Sequence, residues 1–456
     1  MANLLESYKN RLAISEAVHQ KSHNGAKMTS GKKLMIASVL HNTSKFMNEA
    51  FDSSAATQRS ALGDFKRFCL NVSTVALPNL ILPELMMTQP MTSITGYITY
   101  LRYTAGINKG GVKAGDMFSS VYRLGEMTEE RTQYTSDKIV EPVTANEQFT
   151  PAWTPVEGSI RFLIDGKWVP GNAGTVPAGA TKAAYTYDNI VVPQMNTNTE
   201  NTNSDIPTLT AAMDGISLHA HARRIAVYYS QIAAFQAKTD YGYDLGEQLA
   251  AQAQGELAYE IDTEGVMMLV NGAEEDDKLV FDSYDRAAVA PTTYISRSQY
   301  YEQFSEILAR AKQILYKRTQ KFAPNYMLVG SNVLTIMPYL KGWNAANVGT
   351  VNGPYLAGTV DGLKVFVSPS MHDNDFVFGV NGSDLQTAAA VYAPYMTIVP
   401  TQLLGFSDGA MTQGFSTMYD MKLLSTYNIV DNERVDAEEG TSGQYSYLLV
   451  KGHFNA

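Results

Sequence analysis

DLGEQLAAQAQGELAYEIDTEGVMMLVNG, residues Asp244–Gly272, is the longest uninterrupted helical pattern in the chain. Asp244 suits an N-cap, and Glu247 stands three residues on, where a capping-box carboxylate reaches back to free N–H groups. Asn271 and Gly272 supply the stop, because both tolerate the left-handed conformation that ends helices. At 1.5 Å per residue such a helix is roughly 40 Å long, enough to cross a domain. Its apolar row is Leu245, Leu249, Ala253, Leu257, Ile261 and Leu269. Each step of four residues overshoots a full turn by about 40°, so the row winds around the rod. The two halves are therefore expected to bury different faces against different partners. Glu256, Glu260 and Glu264 form an acidic row that repels itself mildly and is expected to face solvent or cations.

Composition bounds what surrounds this helix. The 456 residues allow about three domains, and 45% of them are hydrophobic, enough for substantial cores. The net charge of −10 argues against a generic nucleic-acid-binding surface. The charge is uneven. Residues 1–60 hold eight Lys/Arg and four Asp/Glu, net +4, leaving 27 against 41, net −14, for the rest. One end then meets an acidic partner, or simply presents a solvated basic face. The single cysteine, Cys69, excludes an intrachain disulfide and reads as a small buried apolar residue. No run of eighteen apolar residues is present, so no membrane span is expected. The start MANLLESYKN lacks a signal-peptide layout.

In chain order, residues 1–60 read as two helices, Asn3 to about Gln20 and about Lys32 to Phe51, joined by a basic link. They look like an arm that packs on something else. VALPNLILPELMMTQPM follows, where Pro78, Pro83 and Pro90 interrupt helices; a strand then runs through Tyr97, Thr99, Leu101 and Tyr103. From Thr104 to Gly215 the texture changes. Gly106, Gly110, Gly111 and Gly115 surround Lys109 and Lys113 in a flexible basic segment without P-loop spacing. Beyond Glu141 the chain turns β-rich, with Asp165-Gly166 as a hairpin signal, and NTNTENTNSD (Asn196 to Asp205) cannot build a core. A small β domain over about 141–209 is read as inserted in this excursion.

The chain returns through ISLHAHARRIAVYYSQIAAF. His219 and His221 share a strand face, which would suit a metal pair, but a polar strand face is the better reading because no carboxylate or third histidine is in register nearby. EEDDK (Glu274–Lys278) lacks calcium-loop spacing and reads as a solvated turn. A helix over about Ser298–Thr319, the strand Tyr326 to Val329, a helix from Ser331, a strand LKVFV opened by Asp361-Gly362, and the strands FVFGV, AAAVYAPYMTIVP and YSYLLVKGHF complete the pass.

Taken in this order, the parts resemble a known family. VALPNLILPELMMTQPM with its strand, ARRIAVYYSQIAAF leading through DYGYDLGEQL into the long helix, YMLVGSNVLTIM, GTVDGLKVFVSP, AAVYAPYMTIVP and the terminal YLLVKG are similar to successive stretches of the major capsid proteins of T-four-like contractile-tailed phages. The matches extend from about Val75 to Phe454; their order and spacing carry the resemblance. It implies an α+β subunit of the Hong Kong 97 type. Residues 1–74 would be the arm, 104–215 an extended loop with the β insertion, 75–103 and 216–325 a peripheral domain holding the spine helix 244–272, 326–425 an axial domain, and 426–456 a terminal strand region.

The implied function is structural: self-assembly into hexamers and pentamers of an icosahedral head around double-stranded DNA. Scaffold, portal and decoration or vertex proteins are the implied partners, and the host bacterial cytoplasm the place of assembly. No cofactor, metal or catalytic residue is expected. The family often loses an N-terminal segment to a prohead protease; residues 1–74 are shorter than that pattern calls for, which argues against cleavage. Two appendages that look unable to build cores point the same way, since such a chain gains stability from assembly. Lys27, Lys32 and Lys33 in the arm and Lys109 and Lys113 in the loop are the expected intersubunit contacts, the latter pair non-covalent. An enzyme is the alternative, but no G-x-S-x-G, H-E-x-x-H, Cys/His cluster or dinucleotide fingerprint occurs. A secreted β-rich binding protein is a second, suggested by GTVPAGATKAAYTYDN.

Overall fold

The computed structural model describes residues 2–22, 27–52, 80–106, 138–151, 155–186, 208–242, 245–284, 296–319, 322–346, 353–382, 387–400, 404–405, 409–430, 433–436 and 444–455. Cys69, the 196–205 loop and the Asp244 cap lie outside them. Helices and strands are both abundant, as an α+β chain requires. The chain divides into two compact units, Met1–Ile98 with Gly215–Tyr316 and Lys321–Ala456, and Thr99–Asp214 with Lys317–Gln320.

The long helix spans Leu245–Asn271, and its two halves do bury different faces. In the first half Ala250, Ala253 and Leu257 pack with Ile398 and Phe415, flanked by Ile225 and Val227. Those partners belong to a five-stranded sheet. Ala410–Leu423 pairs antiparallel with Ala390–Pro400 on one side and with His221–Ser230 on the other, and Met87–Thr88 adds a parallel edge to Ala390–Pro400. In the second half Gly265 lies so close to the Leu82 side chain that a Cβ there would overlap it. Glu256, Glu260 and Glu264 are exposed, and Glu264 meets Arg223 and the Tyr419 hydroxyl.

The helix stop differs from expectation. Neither Asn271 nor Gly272 adopts a left-handed conformation. Gly272 is needed for space instead, because a Cβ would run into the Leu423 side chain. EEDDK is also no turn: Glu274–Asp282 is one strand, running parallel to Leu449–Asn455. The four acidic residues hid this strand, and the alternation that buries Leu279 and Phe281 starts only at their end.

That strand closes a seven-stranded sheet, ordered Asn344–Ala345, Tyr355–Val360, Leu363–Val367, Tyr326–Val329, Asp375–Gly379, Leu449–Asn455, Glu274–Asp282. Every residue of Tyr326–Val329 is buried, as a central strand covered on both faces requires. The expected 298–319 helix is two pieces, Arg297–Glu302 and Phe304–Thr319. Phe304 packs edge-on to Phe376 and Phe281, and Ile307, Leu308, Ala311 and Leu315 continue the buried stripe. The two sheets cut across the boundaries drawn from sequence. The C-terminal strand joins the 326–379 strands, and the strands within 390–423 join His221–Ser230 instead.

Two further corrections concern the appendages. The arm finds its core within its own chain: Met35, Ile36, Ala37, Val39 and Leu40 are buried, the helix Ser30–Asp52 packs on Ala390–Pro400, and Asn42 donates to the carbonyls of Met91 at 2.6 Å and Tyr395 at 3.1 Å. In the second unit the excursion also has a core. Lys138–Pro142, Ala180–Thr186, Arg161–Ile164 and Lys167–Pro170 form a four-stranded antiparallel sheet. Ile139, Phe149, Ile160, Phe162, Val176 and Tyr185 fill it. Asp165 and Gly166 both have positive φ, 48° and 76°, the pair of conformations that the tightest hairpin demands.

Candidate assembly surfaces

One surface follows directly from how the sheet ends. His221–Ser230 stops at Ser230, whose hydroxyl accepts from the Ala233 N–H at 3.1 Å and caps the helix Gln231–Gln236. That helix buries none of its side chains. Ile232 and Phe235 are 72% and 71% exposed, and Tyr228 on the preceding strand is 70% exposed. A single exposed apolar residue is ordinary; three large ones within eight residues make this a candidate contact surface.

The ribbon formed by Thr95–Ala105 and Leu209–His219 gives another. Leu209 and Met213 lie four apart on one strand and so on one face, 60% and 79% exposed. Tyr97, 64% exposed, crosses Gly215, where a Cβ would strike its ring.

The basic residues singled out from sequence are not alike. Lys27 is exposed. Lys33 pairs with Glu16 of its own arm at 2.9 Å, a contact worth about 0–1 kcal/mol at such exposure. Lys32 is not on the exposed basic face at all. It is buried, 3.3 Å from His19 Nδ1, and donates to the Leu80 carbonyl at 3.4 Å. Burial pushes its ammonium down to about 8, against the opposing pull of Glu84 and Asp262. Lys109 and Lys113 lie outside the described residues.

Asp262 is the residue that sequence reading missed. It sits on the long helix between Ile261 and Thr263, buried, and accepts the N–H groups of Ile81 (3.1 Å) and Leu82 (3.3 Å). Burial raises its carboxyl to about 7, with the two N–H donors and Lys32 acting in the other direction. It thereby ties the proline-interrupted segment to the helix beside the arm. A lone acid adjoining the apolar row was the available signal. His219 and His221 do share a face, their rings 5.0 Å apart and edge-on, and both are exposed. Asp420 accepts the backbone N–H of His219 at 2.7 Å and that of Met421 at 2.9 Å.

The profile of the family described as Major capsid protein Gp23 matches residues 62–450. The chain belongs to that family. It is a structural subunit of a phage head rather than an enzyme; it associates with copies of itself and resides in the virion capsid. No curated protein sequence matches the chain. Among solved structures it is similar to one from Mycobacterium phage Bobi, at 8% identity over 82% of this chain and 90% of that one, with a TM-score of 0.37. It is also similar to the capsid of Myoviridae phage XM1, at 8% identity over 57% and 81%, TM-score 0.34, and to the SrpI encapsulin of Synechococcus elongatus, at 10% identity over 72% and 95%, TM-score 0.31. The family match carries the assignment.

Proposed function

We propose that this capsid subunit builds its head as hexamers and pentamers, with the apolar face of Gln231–Gln236 and the exposed side of the 95–105/209–219 ribbon covered by neighbouring copies. The exposed Ile232, Phe235 and Tyr228 carry this reading, because a ring of identical subunits needs one surface of each copy seated against a different surface of the next. The head encloses double-stranded DNA and is assembled in the bacterial cytoplasm on a scaffold, with a portal and decoration or vertex proteins as further partners. The seven-stranded sheet serves as the axial domain, and the five-stranded sheet with the long helix as the peripheral domain. Residues 104–215 are the extended loop. Lys27, Lys33, Lys109 and Lys113 make non-covalent contacts with acidic groups of adjacent subunits or with the DNA-facing interior, whereas Lys32 acts within its own chain.

Electron microscopy of the purified chain, alone and with scaffold, tests this together with the double variant Ile232→Asp/Phe235→Asp. Wild type forms shells, tubes or rings. The variant stays folded, with an unchanged circular dichroism spectrum, because neither side chain is buried, and does not assemble. Normal shells from the variant would refute the proposed surface.

A further inference from the structure

Among the described residues one group of three metal-capable side chains converges: His372, Asp375 and His453, with ligand atoms all within 4.8 Å of one another. The fold brings them together from positions far apart in the sequence. Asp375 opens the strand Asp375–Gly379, and His453 stands directly opposite it on Leu449–Asn455. His372 belongs to the loop that enters Asp375–Gly379. The His453 Nδ1 is 2.8 Å from Asp375 Oδ1, and the His372 Nδ1 is 3.7 Å from the same oxygen. Asp375 is buried, His453 half-buried and His372 exposed, so the group opens to solvent on one side.

We propose that His372, Asp375 and His453 form a binding site for a divalent zinc-class ion, with a water in the fourth position. The spacing suits it. Bonds of about 2.0–2.1 Å in a tetrahedron place ligand atoms roughly 3.3 Å apart, between the two distances to Asp375. Two imidazoles and one carboxylate select a d-block cation over calcium or magnesium, which demand more oxygens. The outer partners are also present. Lys451 Nζ holds Asp375 Oδ2 at 2.7 Å, leaving Oδ1 turned to the histidines. A second donor on a ligating carboxylate is the usual way its orientation is fixed. The Asn374 N–H lies 3.4 Å from His372 Nδ1 and gives way when the ion takes that nitrogen. Bound there, the ion would clamp the C-terminal strand to the loop before Asp375. It would stabilise the folded chain by mass action, since the unfolded chain does not gather the three ligands.

The test uses the purified full-length chain after chelator treatment, titrated with cobalt(II) and then zinc(II). The visible absorption of cobalt reports tetrahedral nitrogen and oxygen ligation. One ion per chain is expected, with cobalt displaced by zinc, and zinc raises the melting temperature. His372→Ala, which removes an exposed side chain, should weaken binding by more than the roughly 10–100-fold attached to outer partners and abolish the melting shift. A His219→Ala/His221→Ala variant, which removes the exposed histidine pair elsewhere, should bind like wild type. Wild type that takes up no stoichiometric ion, or His372→Ala that binds equally well, would leave a plain charge network of Asp375 with Lys451 and His453 and overturn the site. Neither readout depends on shell formation.

Discussion

Leu257→Ala probes the packing that joins the long helix to the five-stranded sheet. Leu257 is 2% exposed and contacts the cluster of Ala250, Ala253, Ile398 and Phe415. Its truncation deletes three carbons. At about 0.8 kcal/mol per methylene the lost transfer energy is roughly 2.4 kcal/mol, and the cavity left among rigid neighbours raises the cost to about 3–4 kcal/mol within the known 2–5 range. Two of those neighbours are alanines, whose side chains are too short to collapse into the space. With only about 5–15 kcal/mol of stability in a domain, that loss is a large part of the whole. The control is Glu260→Gln on the exposed row, which relieves like-charge repulsion and should shift stability by less than about 0.5 kcal/mol. Denaturant unfolding of unassembled protein at constant m measures both. Equal midpoints for the two variants would refute the claim that this helix face organises the subunit.

Four further outcomes follow from particular contacts. Asp262 has a folded value raised from 3.8 to about 7, so the folded state holds its proton where the unfolded state has lost it. The stability contribution is therefore greatest below about pH 4 and falls as pH rises to 7, by about 1.4 kcal/mol per pH unit; Asp262→Asn should remove that slope, and a steeper slope in the variant would contradict the burial. Gly255 has open space around its Cβ position, whereas Gly265 faces Leu82. Gly255→Ala should gain up to about 1 kcal/mol from helix propensity, while Gly265→Ala should lose roughly 1–3 kcal/mol from overpacking, with Leu82→Ala restoring part of it; thermal melts of the three variants check this. Phe162→Ala should cost about 3–5 kcal/mol in the 138–186 module, read by hydrogen exchange there, with the exchange of Leu245–Asn271 unchanged. Lys27→Ala/Lys33→Ala should slow assembly most at low salt, because exposed charges are screened over about 8–10 Å at physiological ionic strength; light scattering that shows no salt-dependent difference would remove both residues from the interface.

Much of this fold is legible in periodicity. The long helix, the Asp165-Gly166 and Asp361-Gly362 turns and the all-apolar strand Tyr326–Val329 each carry a local signal that tertiary packing leaves in place. Other elements carry a misleading one. Glu274–Asp282 hides its strand behind four consecutive acids, because an edge strand tolerates charge that an interior strand does not. The arm reads as partnerless because its partners, Met91 and Tyr395, lie 49 and 353 residues from Asn42. Ala410–Leu423 follows an Asp408-Gly409 turn signal, but Gly414 and the adjacent Met418 and Tyr419 break its alternation; it is nonetheless the strand that both of its long neighbours pair with. Basic residues are the least legible. Lys27, Lys32 and Lys33 look equivalent in sequence, yet Lys27 precedes the helix Ser30–Asp52 and is exposed, Lys32 is buried, and its chain neighbour Lys33 is half-buried and pairs with Glu16. The His372–Asp375–His453 group is invisible locally, since only strand register brings residue 453 beside residue 375.

The most direct test is hydroxyl-radical footprinting of the same chain before and after assembly. Neighbouring copies that cover Gln231–Gln236 predict strong labelling of Tyr228, Ile232 and Phe235 in the unassembled subunit and loss of most of it in shells, with buried Phe415 unlabelled in both. Labelling of Ile232 and Phe235 that is unchanged between subunit and shell would contradict the account.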